Sequence, residues 1–214
     1  MAQVSGQVGP TTGVTIAPSG TGVGTQPLRQ AYDATTVTMD GHARFQEAVL
    51  RGNVFVASNQ AAQALSIALS TTQTGFTLTN PAGSGKLLVV WQASIALATA
   101  PAGVSTLVWA ANVNTVAAAV TQTTPLTVRN ANLGIAGVGA GLAASAVTLP
   151  AAPVVVRPVG GGPVATGSVT APSVVDPIDG SIVLQPGTAL SLSALTTAIS
   201  VICSMTWEEV TLGA

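Results

Sequence analysis

Charge is what this sequence has least of. Its 214 residues include six Lys or Arg and seven Asp or Glu, a formal net charge of −1, with one His and one Cys. A nucleic-acid binder needs clustered cations to displace counterions from phosphate, and six dispersed ones form no such footprint. One imidazole, His42, excludes any site built on two or more histidines within one chain. Paired with Asp40 it would still lack a nucleophile to serve, so a solvated or capping role fits better. The lone thiol, Cys203, excludes an intrachain disulfide and carries no sign of an oxidising compartment. Aromatic residues make up only 3% of the chain.

Other signals are missing too. No cation precedes Arg29, no continuous apolar core follows the start, and no Asn-x-Ser/Thr sequon occurs, so the chain is expected to be made and used without export. Residues 130–156 hold no charge, long enough for a membrane span. Four glycines, two prolines and few large apolar side chains in that stretch argue against one. No fixed-period repeat points to a solenoid or propeller.

What is present is apolar and small. At 48% hydrophobic residues and 6% charged, the composition opposes disorder. A free-standing domain carries roughly 25–35% charged residues on its surface. The shortfall implies that identical copies or another protein cover much of the exterior, or that Thr, Ser, Asn and Gln keep it in solution.

Along the chain, residues 1–28 are Gly, Thr, Pro, Ser and Val with little to anchor a core, and read as an extended N-terminal arm, flexible or docked on a partner. Residues 29–53 form a linker holding six of the thirteen charges. A short helix is predicted near 41–51, with Asp40 as cap, Phe45 and Val49 on one face, a Glu47–Arg51 pair and Gly52 as stop. Residues 54–214 alternate in the manner of strands.

Phe76 and Leu78 alternate with Thr77 and Thr79, and after a turn at 80–85 Leu87, Val89, Trp91, Ala93, Ile95 and Leu97 share a face, which predicts a hairpin. Further strands are expected at 54–57, 65–71, 104–113, 115–121 and 125–129. At the end of the chain, Ile199, Val201, Cys203, Met205 and Trp207 point into a core. A Gly/Ala/Pro-rich insertion at about 134–175 reads as an excursion with short strands at 145–149 and 153–157. The predicted fold is all-β, a β-sandwich of jelly-roll type with an extended N-terminal arm and one short helix.

Chemistry is sparsely signalled. NPAGSGK at 80–86 resembles a phosphate loop, but Asn80 stands where the first Gly belongs, Leu87 replaces the hydroxyl residue, and a strand follows instead of a helix. A turn is the better reading. Asp176 and Asp179 supply too few oxygens for calcium and suit a tight turn. Glu208 and Glu209 are expected to pair with cations of this chain or a neighbour. Trp91, Trp109 and Trp207 are expected in the core, and so is Cys203. No catalytic constellation, metal set or cofactor motif emerges, and the chain is not expected to be an enzyme.

The segments TGFTLTNPAGSGKLLVVWQASIAL at 74–97, PGTALSLSA at 186–194 and SMTWEEV at 204–210 resemble a family of tailed-bacteriophage virion proteins, the charge-poor β-sandwiches that decorate or cement the head. The resemblance covers roughly 60% of the chain as pattern. It implies a homotrimer on the capsid exterior, partnered by the major capsid protein and by itself, without nucleic acid or membrane. The arm would supply the partner-binding residues Val14, Ile16 and Leu28, with Arg29 and Arg44 as polar anchors. A tail or fibre-type receptor-binding protein that presents 134–175 to a host glycan is the alternative.

Overall fold

The computed structural model describes residues 14–16, 24–26, 45–99, 103–112, 120–162 and 173–212. The chain divides into two compact units, Met1–Arg44 and Phe45–Ala214, against the expected boundaries at 28 and 53. In the first, β1 (Val14–Ile16) and β2 (Gly24–Gln26) form an antiparallel pair with Thr15 opposite Thr25. Within the segment expected to be an extended arm, the backbone therefore folds back on itself.

The second unit begins with α1 (Gln46–Leu50), preceded by Phe45 without a side-chain cap. The Arg51–Glu47 pair is present at 2.9 Å and exposed, and Gly52 ends the helix at φ +76°. Asp40 and residues 41–44 lie outside the described residues. Strands follow: β3 (Val54–Ser58), β4 (Gln63–Ala64), β5 (Thr72–Asn80), β6 (Lys86–Leu97), β7 (Ser105–Asn112), β8 (Thr121–Leu126), β9 (Val128–Asn130), β10 (Leu142–Thr148), β11 (Val154–Gly162), β12 (Ser173–Leu184), β13 (Thr188–Leu195) and β14 (Ser200–Thr211). Residues 65–71, expected as a strand, contain none beyond the short β4 before them. Of the strand expected at 115–121, residues 115–119 lie outside the described residues.

These strands make two antiparallel sheets, one in the order β11-β7-β13-β5-β10-β8 and the other β12-β6-β14-β3-β9, with β4 beside β14. Leu78, Leu190, Leu192, Trp109 and Phe76 from the first meet Leu88, Ile95, Met205, Trp207 and Val201 from the second in one buried cluster. The β-sandwich expectation is met. Its winding is a set of nested pairs, β5 with β13, β6 with β12 and β7 with β11. A jelly roll has eight strands in two sheets, whereas here each sheet holds six, with β14 between β6 and β3 and with β10 and β8 beyond β5.

Three expectations are corrected. Strands β5 and β6 belong to different sheets, so 80–86 is an arch that carries the chain over the core, not a hairpin turn. Asn80 holds this arch: its Nδ2 donates to the carbonyls of Lys86 and Leu184, both at 2.8 Å, and Ser84 Oγ donates to its Oδ1 at 2.6 Å. The face of β6 also switches along its length. Leu88 and Val90 point into the core and Leu87 and Val89 do not, yet beyond Trp91 the inward residues are Ala93 and Ile95. Thr206 pairs with Gln92 while Trp207 pairs with Val90, leaving Trp91 as the extra residue of a β-bulge that inverts the alternation. Trp91 is accordingly outside the inter-sheet core, stacked on Phe45 with ring centroids 4.2 Å apart. Finally, 134–175 is not an excursion, since it supplies β10, β11 and the start of β12 to the sheets.

Asn80→Ala should cost about 2–3 kcal/mol, because two buried carbonyls lose their donor and the arch loses its pivot. Denaturant unfolding of the purified variant measures this, with an unchanged slope expected.

Candidate interaction surface

Two faces of the sandwich point outward, and they differ. In the first sheet Thr77, Ala110, Ala144, Ser191 and Ser193 alternate with the core residues yet are themselves buried. Their polar atoms are matched in place: Thr77 Oγ1 lies 2.9 Å from Ser191 Oγ, and Ser193 Oγ donates to Gln73 Oε1 at 3.0 Å. Water is excluded from both sides of the sheet at these positions, while Leu142 on β10 and Val154, Val155 and Val156 on β11 remain exposed towards its margins.

The outer face of the second sheet remains open. Val183 stands beside Val89, Val210 beside Leu87 and Ile202 beside Ala96; Val175, Val183, Ile202 and Val210 are all exposed. The polar residues among them are Ser94, Ser204, Thr206 and Gln92, and two charges, Glu208 and Arg129, share the face. Apart from those two charges, covering this face loses little desolvation energy.

A second apolar feature is the loop between β9 and β10. Leu133 and Ile135 are exposed and Val138 is 99% exposed, yet the loop is pinned at both ends. At one end Asn130 donates from Nδ2 to the Gly52 carbonyl at 2.7 Å and accepts from the Asn132 N–H at 2.8 Å. At the other, Glu209 is buried and accepts from the N–H groups of Ala140 (2.9 Å) and Gly141 (2.8 Å) and from the Trp207 indole (3.3 Å). Glu209 therefore binds backbone amides where a cation was expected. The approach is so close that a Cβ at Gly139 would lie 2.7 Å from the Glu209 carboxylate, and one at Gly141 would lie 2.9 Å from the Trp207 indole nitrogen.

The strand edges are poor partners for other strands. β8 carries Pro125, β11 carries Pro158 and two register shifts, β12 carries Pro177 and a bulge before Ile182, and β9 has three residues. Prolines, bulges and short strands all blunt edge-to-edge pairing.

Where β11 and β12 close the sandwich, three polar side chains join the sheets. Trp109 Nε1 donates to Asp176 Oδ2 at 2.8 Å inside the core, and Arg157 Nη2 donates to Asp176 Oδ1 at 2.8 Å. The buried carboxylate thus has a partner on each oxygen. Asp179, at φ +51°, lies where the β12 register shifts between Pro177 and Ile182, whereas Asp176, expected in a tight turn with it, is paired with Ala93 inside the strand. Among the described residues no three His, Cys, Asp or Glu side chains converge on a metal site.

Of the sequence-derived partner residues, Val14 and Ile16 lie on β1, while Leu28, Arg29 and Arg44 lie outside the described residues, as does His42. Trp109, Trp207 and Cys203 are in the core as expected. Sequence reasoning missed the roles of Asp176, Arg157 and Glu209. A signal for Glu209 existed in the alternating Gly137, Gly139 and Gly141, a spacing that leaves room for close approach. No helix among the described residues is long and apolar enough to cross a membrane.

Two outcomes follow. Burial pushes the Cys203 thiol far above its usual range by desolvation, so a thiol reagent at pH 8 should leave the native protein unlabelled and react at once after denaturation. Gly141→Ala should destabilise by about 1–3 kcal/mol, because the methyl group meets Trp207 and Leu88 in a filled space; thermal unfolding reads the loss.

Compared with protein-family models, curated proteins and solved structures, this chain finds no match in any of the three.

Proposed function

We propose that this chain is a structural protein of a tailed-phage virion that coats and stabilises the head as a homo-oligomer, a homotrimer in the form the family resemblance implies, seated on the major capsid protein at the capsid exterior. The observation that carries this reading is the pairing of a charge-poor exterior with exposed large apolar residues. Val175, Val183, Ile202 and Val210 share the open sheet face, and Leu133, Ile135 and Val138 lie on a pinned loop. A monomer exposing such surfaces associates, and obligate interfaces are typically of this apolar kind. Blunted edges direct that association to faces and loops, which suits docking on a shell better than open-ended strand addition.

The receptor-binding alternative has less support. It relied on 134–175 as a presented loop, and much of that range is built into the sheets. Its exposed loop residues also lack the aromatic rings that glycan readers use for stacking.

The chain should run as a defined oligomer in light scattering and cosediment with phage heads that lack it. Removal of residues 2–28, which contain Val14, Ile16 and Leu28, should abolish cosedimentation and leave the unfolding transition of the sandwich in place. A monomer without affinity for heads would overturn the reading.

A further inference from the structure

Between β11 and β12 the two sheets border an open cleft of about 550 Å³ lined by residues of β7, β11, β12 and β13. That volume is within the range of ligand sites, roughly 300–1,000 Å³. Its walls are apolar, with Leu184 and Leu190 at the back and Ile182 and Val156 nearer the opening.

The polar groups at this cleft have unequal amounts of hydrogen bonding left to offer. Ser181 donates its hydroxyl to the Ile178 carbonyl at 2.6 Å, and Thr188 donates its own to the Gln185 carbonyl at 2.7 Å. Both donors are spent. Arg157 has five N–H groups, and its protein partners are Asp176 through Nη2 and Ser181 through a long 3.4 Å contact from Nη1. The guanidinium is more than a third exposed and lines the cleft; beside the neutral amides of Asn112 and Gln185 it is the one charged donor at this site. A ligand that matches it carries oxygen acceptors at one end and an unbranched apolar chain at the other.

We infer that the cleft between β11 and β12 binds a medium-chain aliphatic carboxylate, with its oxygens on the unspent N–H groups of Arg157 and its chain along Val156, Ile182, Leu184 and Leu190. A guanidinium can hold one carboxylate on each of two edges, so Asp176 keeps its place when the ligand enters. Asp176 also balances the Arg157 charge, which leaves the apolar contact as the main driving force and the head group as the orienting one. This site does not depend on the virion reading: it shares Val183 with the open sheet face, but the ligand contacts proposed here use neither that residue nor the pinned loop.

The test is calorimetric titration of the full chain with decanoate, and with decanol as the partner lacking a carboxylate. One decanoate per chain is expected to bind, and decanol about tenfold more weakly. Arg157→Lys keeps a cation for Asp176 but loses the planar fork, and should weaken decanoate by about tenfold while leaving decanol unchanged. Val156→Trp, at a half-exposed position on an edge strand, should fill the opening and abolish binding of both without lowering the melting temperature. Absence of decanoate binding at millimolar concentration overturns the inference. So does binding that survives Val156→Trp, or equal affinity for both compounds in the native chain and in Arg157→Lys.

Discussion

Closing two sheets over an apolar layer leaves each polar atom caught near that layer to be matched inside the chain, because an unpaired buried group costs about 1–3 kcal/mol. Much of this protein's detail answers that constraint. Trp109 fills the core with an indole whose N–H needs an acceptor, and Asp176 supplies it from the opposite sheet. A carboxylate there needs a second partner, and Arg157 comes from the edge strand to provide it. Asn80 does the same for the arch with two carbonyls from different strands, and Asn59 reaches the Val201 carbonyl and the Cys203 N–H along β14. Few charges are used, and those that are buried, Asp176 and Glu209, are placed where several donors already converge.

This explains how much of the fold could be read in advance. Alternation reports that a segment is a strand and which residues share a side, as it did for Ile199 to Trp207, where the inward set is buried as expected. It does not report the partner strand. The seven residues of 80–86 serve equally for a hairpin within a sheet or an arch between sheets, and the difference is decided by where β12 and β13 pair, about a hundred residues away in the chain. Alternation also fails at a bulge. One additional residue at Trp91 inverts every assignment on one side of it, so Leu87 and Val89 were placed inward when Leu88 and Val90 are. A composition of Gly, Ala and Pro suggested an excursion at 134–175, although Ala143, Ala144 and Val147 suit a tightly packed strand because they are small.

The candidate surface was legible only as a shortage. Counting charges led to the expectation that copies or a partner cover part of this protein, and said nothing of which side. The structure distinguishes the middles of the two faces by residue size and burial: the central strands of the first sheet close their outer side with Ala, Ser and Thr, leaving exposed Val only on its edge strand β11, whereas the second sheet leaves Val and Ile in water on its central strand β14 as well as on β12. Glu209 was misread for a related reason. Two adjacent glutamates near the end of a strand resemble solvent charges, but strand geometry sends Glu208 and Glu209 to opposite sides, and the inward one meets the backbone amides of a glycine-rich loop.

That loop shows how a chain with few charges can still present a defined surface. An apolar loop left to itself would collapse onto the nearest hydrophobic patch. Here the carboxylate of Glu209 and the amide of Asn130 hold its two ends, and close contacts at Gly139 and Gly141 leave no slack between anchor and core. Leu133, Ile135 and Val138 are thereby kept in solvent at a cost met by buried polar bonds beneath them. Such a loop pays its ordering entropy during folding, so under the proposed function a partner would meet it already shaped. On a surface with almost no ionic groups to steer or orient an encounter, prior shaping of apolar elements is the remaining source of specificity.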